Sequence, residues 1–147
     1  VAVLGDRLLF WESGSAQPRD LSPFGSDGYL NARLSPDGTK IVFEHYGGNL
    51  HVVDVATGAL EDLGRAFRPA WSPDSRHVVA MVTEDDGYTY SRSDLVVFAA
   101  DGSTRVNLTE GFDPLAMNPS WSPDGSRIAF DAPEEGVVYV LTLQSTP

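Results

Sequence analysis

Leu34-Ser35-Pro36-Asp37-Gly38, Trp71-Ser72-Pro73-Asp74-Ser75 and Trp121-Ser122-Pro123-Asp124-Gly125 are three copies of one phrase. Each is followed by the same strand-like run: Lys40-Ile41-Val42-Phe43, His77-Val78-Val79-Ala80 and Arg127-Ile128-Ala129-Phe130. The phrase is turn chemistry. Pro presets φ at the second position of a type I turn, Asp bonds back to the backbone, and Gly accepts the left-handed conformation that closes the hairpin. Ser75 stands where the other copies have Gly, so that turn is expected to carry strain. The large apolar residue before each Ser ends a short strand and is expected to face the core, with Trp71 and Trp121 buried beside their turns.

The rest of the unit follows from that anchor. Residues 39–44 read as a strand, Gly47-Gly48-Asn49 as a turn and 50–55 as a third strand; Ala56-Thr57-Gly58 is a tight turn before a short fourth strand at 59–63. The run Asp94–Leu108, with Asp101-Gly102 at its turn, repeats this second half. Arg7-Leu8-Leu9-Phe10-Trp11 followed by Ser13-Gly14 matches it at one end, and Val137-Val138-Tyr139-Val140-Leu141 supplies another third strand at the other. Short Val-, Leu-, Phe- and Tyr-rich runs bounded by Gly, Pro and Asp recur throughout, and none has helical periodicity. The fold class is all-β.

Between anchors, 37 residues separate Ser35 from Ser72 and 50 separate Ser72 from Ser122. The excess lies in an acidic, tyrosine-bearing insert at 83–93. A unit of roughly forty residues with four strands is what a β-propeller blade requires. The W-S-P-D-G turn, the I-A-F strand, the V-Y-V strand and the D-G turn together resemble the TolB-type WD-like propeller repeat, and propellers of prolyl-oligopeptidase-type peptidases carry similar repeats. The resemblance implies four-stranded antiparallel blades, about 3.5 of them here. Within a single partial-propeller domain spanning 1–147, the expected boundaries are 1–21 (lacking its innermost strand), 30–63, 68–108 and 118–143 (lacking its outermost). Three strands at each end do not merge into one four-stranded blade. The chain is therefore expected to be part of a longer propeller or to share a ring with a second copy, a four-bladed ring with imperfect closure being the third option.

Composition bounds the partners. The formal charge is −11, with one Lys and nine Arg against 21 acids, which argues against nucleic acid and against anionic membranes. The absence of cysteine excludes disulfide and thiol chemistry and leaves the compartment open. With no starting Met, leader or long apolar run, the expectation is a soluble chain, processed or excised, with no membrane insertion.

Catalytic and metal patterns can be weighed residue by residue. No G-x-S-x-G surrounds any serine. His45 and His51 fall on neighbouring strands, where a metal pair is conceivable, but their spacing supports no known site and ordinary strand histidines are the better reading. Glu84-Asp85-Asp86 offers hard oxygen ligands for calcium, yet lacks the D-x-D-x-D-G pattern and a later bidentate Glu, so a solvated loop is the better reading. Asp37, Asp74 and Asp124 recur at identical turn positions, so turn structure accounts for them. Asn107-Leu108-Thr109 fits a glycosylation sequon. No cofactor and no metal are expected.

What remains is a surface. If strands alternate in direction, the S-P-D-G, T-G and D-G turns share one face of the disc. The connections between blades (22–29, 64–67, 109–117) and between second and third strands (46–49, 84–93, 132–136) share the other. That second face carries Phe24, Tyr29, Arg65, Phe67, Tyr88, Tyr90, Phe112 and Met117, residue types enriched at interfaces. The leading expectation is a non-catalytic binding module similar to TolB, presenting this face or the channel to a protein partner in the periplasm, the cell envelope or outside the cell. The alternatives are a propeller gating a serine hydrolase in a longer chain and, more weakly, a small-molecule or carbohydrate-binding propeller.

Overall fold

The computed structural model describes residues 2–4 and 6–144, which form four antiparallel sheets in chain order. The first has three strands: β1 (Ala2–Leu4), β2 (Arg7–Phe10) and β3 (Arg19–Asp20). The second has four: β4 (Tyr29–Leu34), β5 (Lys40–His45), β6 (Asn49–Asp54) and β7 (Leu60–Arg65). The third repeats it with β8 (Phe67–Trp71), β9 (His77–Asp85), β10 (Tyr90–Ala99) and β11 (Arg105–Asn107). The last comprises β12 (Met117–Trp121), β13 (Arg127–Ala132) and β14 (Val137–Thr142). No helix occurs among the described residues. We refer to the sheets as blades one to four.

The core is divided into layers between sheets, because period-two alternation sends successive side chains to opposite neighbours. Ile41 and Phe43 of β5 pack with Leu8 and Phe10 of blade one, while Val42 between them packs with Trp71, Val78 and Ala80 of blade three. In β9, Val78 and Ala80 face blade two, whereas Val79 and Met81 join Ile128 and Phe130 of blade four. A strand with sheets on both sides must be apolar on both faces, which is why these runs read as continuous rather than alternating.

Hydrogen bonds stitch the inner strands. The Trp71 indole N–H donates to the carbonyl of Arg33 at 2.9 Å, and the Trp121 indole repeats the contact one blade on, donating to Ala70 at 3.2 Å. Arg33 and Ala70 precede the anchor residues Leu34 and Trp71 of their own copies, so the two bonds are equivalent by repeat. Leu34, the corresponding residue of the first copy, has no described inner strand before it to supply a carbonyl, and it is exposed rather than core-facing as expected. Ser75 does sit in the left-handed region, at φ 61°. Its hydroxyl accepts the Asp37 N–H at 3.0 Å, so the strained turn gains a bond to the preceding blade that Gly could not make.

Two expectations need correction. The insert at 83–93 is not a loop: β9 and β10 pair through it from Ala99–His77 to Tyr90–Asp85, with a register shift between Tyr90 and Arg92, and only a turn at Asp86–Thr89 closes it. Thr83 and Tyr90 suit an extended hairpin, and the Asp86 carboxylate caps its turn. Trp121 is half-buried rather than buried. Blade four lacks a fourth strand among the described residues, and the indole lines an open cleft of about 480 Å³ with Val97, Val106, Leu108 and Leu143.

Truncating Trp71 to Ala is expected to cost about 3–5 kcal/mol, as for other buried large aromatics. Trp121→Ala is expected to cost less, on the order of 2 kcal/mol, because less area is returned to water. Denaturant unfolding of the two variants measures the difference, and equal losses would contradict the layered packing. The exposed valines of β14 (Val137, Val138, Val140) lie on a strand paired on one side only among the described residues. Unpaired edges recruit other chains. Sedimentation velocity at micromolar concentration is expected to show species larger than the monomer, and a stable compact monomer would contradict this.

Candidate functional site

The repeated turns account for the aspartates of one face. Ser35, Ser72 and Ser122 each donate a hydroxyl hydrogen bond of 2.5–2.6 Å to the Asp two residues on. The same carboxylate oxygen accepts the backbone N–H of Thr39, Arg76 or Ser126 at 3.0 Å. The serine oxygen in turn accepts the N–H of Lys40, His77 or Arg127, closing the hairpin. These donors favour the ionised carboxylate. The Ser35 hydroxyl, with the Thr39 N–H behind it, holds Asp37 down to about 2, and the corresponding serine hydroxyls lower Asp74 and Asp124. The three carboxylates are locked anions of three separate turns.

The opposite face carries the connections, and it divides the eight residues singled out from the sequence. Four are accessible. Phe24 is 36% exposed, Tyr90 44% and Tyr88, at the tip of the β9–β10 hairpin, 96%. Arg65 is exposed, reaches Asp85 of that hairpin at 3.4 Å and lies 5.7 Å over the Phe67 ring. Four are engaged inside the fold. Tyr29 is 1% exposed, a correction to its reading as a contact residue: it opens β4 on the core side, and its hydroxyl accepts the Phe24 N–H and donates to the Gly25 carbonyl. Its work is to hold the 22–25 connection. Phe67 and Met117 are half-buried at the starts of β8 and β12, against the layer between blades three and four. Phe112 packs edge-on to Phe130 and Tyr139 in that layer. Tyr46, 75% exposed between β5 and β6, belongs with the accessible set and was not singled out. Its signal was an aromatic beside a Gly-Gly turn.

The histidines form an aromatic stack. The Phe24 ring lies 4.2 Å from His45 and 4.9 Å from His51, and Phe43 stacks on His51 from within. Burial, the largest influence, pushes the His51 imidazole below its ordinary value, against the raising effect of Asp62. Among the described residues, no group of three or more His, Cys, Asp or Glu side chains is placed to hold a metal ion. The acidic insert follows the same pattern: Asp85 accepts the Gly87 N–H and Asp86 those of Tyr88 and Thr89. Asn107 of the sequon bonds Asp94, which also receives Arg92.

The chain is 32% identical over 140 residues to the Tol-Pal system protein TolB of Methylococcus capsulatus, a match covering 81% of this chain and 32% of that protein. It is 28% identical over 124 residues to a TolB homologue of Chlorobium luteolum, covering 78% of this chain and 26% of the relative. The TolB crystal structure from Acinetobacter baumannii superposes with a TM-score of 0.67 at 17% identity, over 91% of this chain and 34% of that one. The blades are TolB-type β-propeller repeats. The tricorn protease shares the fold over 70% of this chain and 11% of its own, with a TM-score of 0.61 at 15% identity. No protein-family model matches the chain. It spans about a quarter to a third of the length of these TolB relatives.

The locked turns give the TolB-type repeat an acid dependence. An unfolded Asp titrates near about 3.9, and the folded turns keep their carboxylates ionised below that. The stabilisation is therefore complete well above that value and is lost as the pH falls toward the folded value, about 2 for Asp37. Thermal melts between pH 6 and 2 are expected to show a steep acid decline in the parent and a shallower one in Asp37→Asn. Parallel profiles would show that the turn carboxylate does not set it.

Proposed function

We propose that this chain is part of a TolB-like propeller acting as a non-catalytic binding module, which presents its loop face to a protein partner. The observation that carries the reading is the grouping of Phe24, Tyr46, Arg65, Tyr88 and Tyr90, all accessible, on the connection face, while the opposite face consists of tight turns. Aromatic side chains and Arg provide large contact area at low entropic cost, and loops on a rigid scaffold are where binding residues concentrate. The repeated aspartates are spent on turn geometry and the histidines on packing, which leaves the surface, rather than a reacting centre, as the functional element. The naming of relatives as Tol-Pal system proteins supports a protein partner and a periplasmic or cell-envelope location.

A second reading is a propeller that gates a hydrolase in a longer chain, favoured by the fold shared with the tricorn protease. A peptidase domain in the same reading frame would decide for it. For the leading proposal, the soluble Pal component of the Methylococcus capsulatus Tol-Pal system is a suitable probe in surface plasmon resonance. The parent chain is expected to bind saturably, and the double variant Tyr88→Ala/Tyr90→Ala to lose at least tenfold in affinity with its melting temperature unchanged. No binding by the parent would overturn the Tol-Pal assignment, and binding indifferent to the double variant would overturn the assignment to this face.

A further inference from the structure

The inner strands β4, β8 and β12 each break the backbone rule at the same repeat position. Asn31, Arg68 and Asn118 have φ of 50°, 55° and 51°, and the pairing of each strand with its neighbour shifts register there. Asn enters the left-handed region readily; Arg does not. Strain repeated at equivalent positions and held by the surrounding structure points to a role for what it positions.

Behind the strands, that strain is secured by acids. The Asn31 amide donates to Glu44 at 2.8 Å and the Asn118 amide to Asp131 at 3.0 Å, the same pairing two blades apart. Glu44 is buried and also accepts the Arg68 backbone N–H from the next blade at 2.6 Å. The Asn118 N–H makes the equivalent reach to the Met81 sulfur at 3.3 Å. In blade three the pattern changes: Arg68 replaces Asn and Met81 replaces the acid, so the guanidinium has no carboxylate in its own blade to turn back to. Arg68 instead borders the space between the inner strands. There, an axial groove of about 320 Å³ is lined by Asn31, Arg33, Arg68, Asn118 and Ser120, among others, with no acidic residue in its wall. In a chain with 21 acids and ten bases, this lining inverts the overall balance. Among the described residues, neither guanidinium lies within ion-pair distance of a carboxylate, and Arg33 donates only to the adjacent Ala32 carbonyl.

We propose that the axial groove between β4, β8 and β12 binds a carboxylate-bearing peptide segment, gripped by the guanidinium groups of Arg33 and Arg68. Guanidinium presents a planar fork that matches a carboxylate through two parallel hydrogen bonds. The groove's volume lies at the lower end of ligand pockets, roughly 300–1,000 Å³, which suits one acidic side chain or a chain end with its flanking backbone. The three inner strands are paired on one side only, so the edge groups not taken by the inter-blade bonds at Arg33, Arg68, Ala70 and Asn118 are open to an extended segment, which a free inorganic anion cannot use. The net charge of −11 repels an extended polyanion and leaves a short segment as the occupant.

This goes beyond the loop-face reading and does not rest on it. The test is fluorescence anisotropy with a labelled Gly-Ser-Gly-Glu-Gly-Glu peptide, free or amidated at its C-terminus, and with its glutamine counterpart. The acidic peptide is expected to bind saturably and more weakly as salt rises, and the amidated glutamine peptide not to bind. Loss on amidation would assign the grip to a chain end, and retention would assign it to side chains. Arg33→Gln and Arg68→Gly are each expected to weaken binding at least tenfold. Arg68→Gly also relieves the left-handed backbone, so its melting temperature is expected to hold or rise; should it fail to fold, exposed Arg33 carries the test. The proposal is overturned by the absence of saturable binding, by binding unchanged in both variants, or by inorganic phosphate competing at the peptide's own concentration. The Tyr88→Ala/Tyr90→Ala chain is expected to bind the peptide unchanged, and loss there would move the site to the loop face.

Discussion

An indole N–H bonded across to the inner strand of the preceding blade is the contact on which the stacking of this chain depends. It joins Trp71 to Arg33 and Trp121 to Ala70. The bond fixes the height of one inner strand relative to the next, and the apolar body of the same side chain fixes their separation. An aliphatic residue could supply the second function and not the first. With inner strands in register, the turns fall into line as well, which is what allows the Ser75 hydroxyl of one turn to receive the Asp37 N–H of another. Displace the indole, and the layer containing Val42, Val78 and Ala80 loses both its lid and its alignment.

The repeat is strict where a contact closes within a single turn and tolerant of residue type where it joins strands or blades. The serine–aspartate turn recurs almost unchanged because its hydrogen bonds close within six residues. The left-handed position of the inner strand accepts Asn or Arg, and the equivalent second-strand position holds Glu44 or Asp131, which bond the Asn amides, or Met81, which does not bond Arg68. What does not vary is that the strained N–H finds an acceptor in the preceding blade where one is present, a carboxylate for Arg68 and a thioether for Asn118. A buried N–H must be satisfied, whereas the identity of the group that satisfies it is free.

This division explains what could be read from residues alone. The all-β blades were legible because turn chemistry and strand alternation are local, and the strain at Ser75 was legible from the missing Gly. Its compensation by Asp37 was not, since the partner belongs to another blade. The half-burial of Trp121 depends on a neighbour rather than on its own surroundings, and period-two reasoning is blind to that. Tyr29 was read as loop because it adjoins a Gly- and Ser-rich stretch, yet it is the first core residue of β4. The acidic insert looked like a solvated loop because its charges hide a strand pattern carried by Thr83 and Tyr90. The left-handed inner-strand residues gave no signal at all: two are Asn, which is common everywhere, and Arg68 is the last residue type to suggest such a backbone.

Because each apolar layer is shared by two adjacent sheets, stability in this chain is a nearest-neighbour quantity. Blades two and three each have a layer on both sides, whereas blades one and four each have a described layer on one side only. Cooperativity in such a stack runs along the chain rather than through a common centre, as in a one-dimensional array. Amide exchange then has a spatial order: the amides of β5 and β9 open only when two layers are breached, while those of β14 open with one. The described stack frays from blades one and four inward, and β5 and β9 are the last strands to be released.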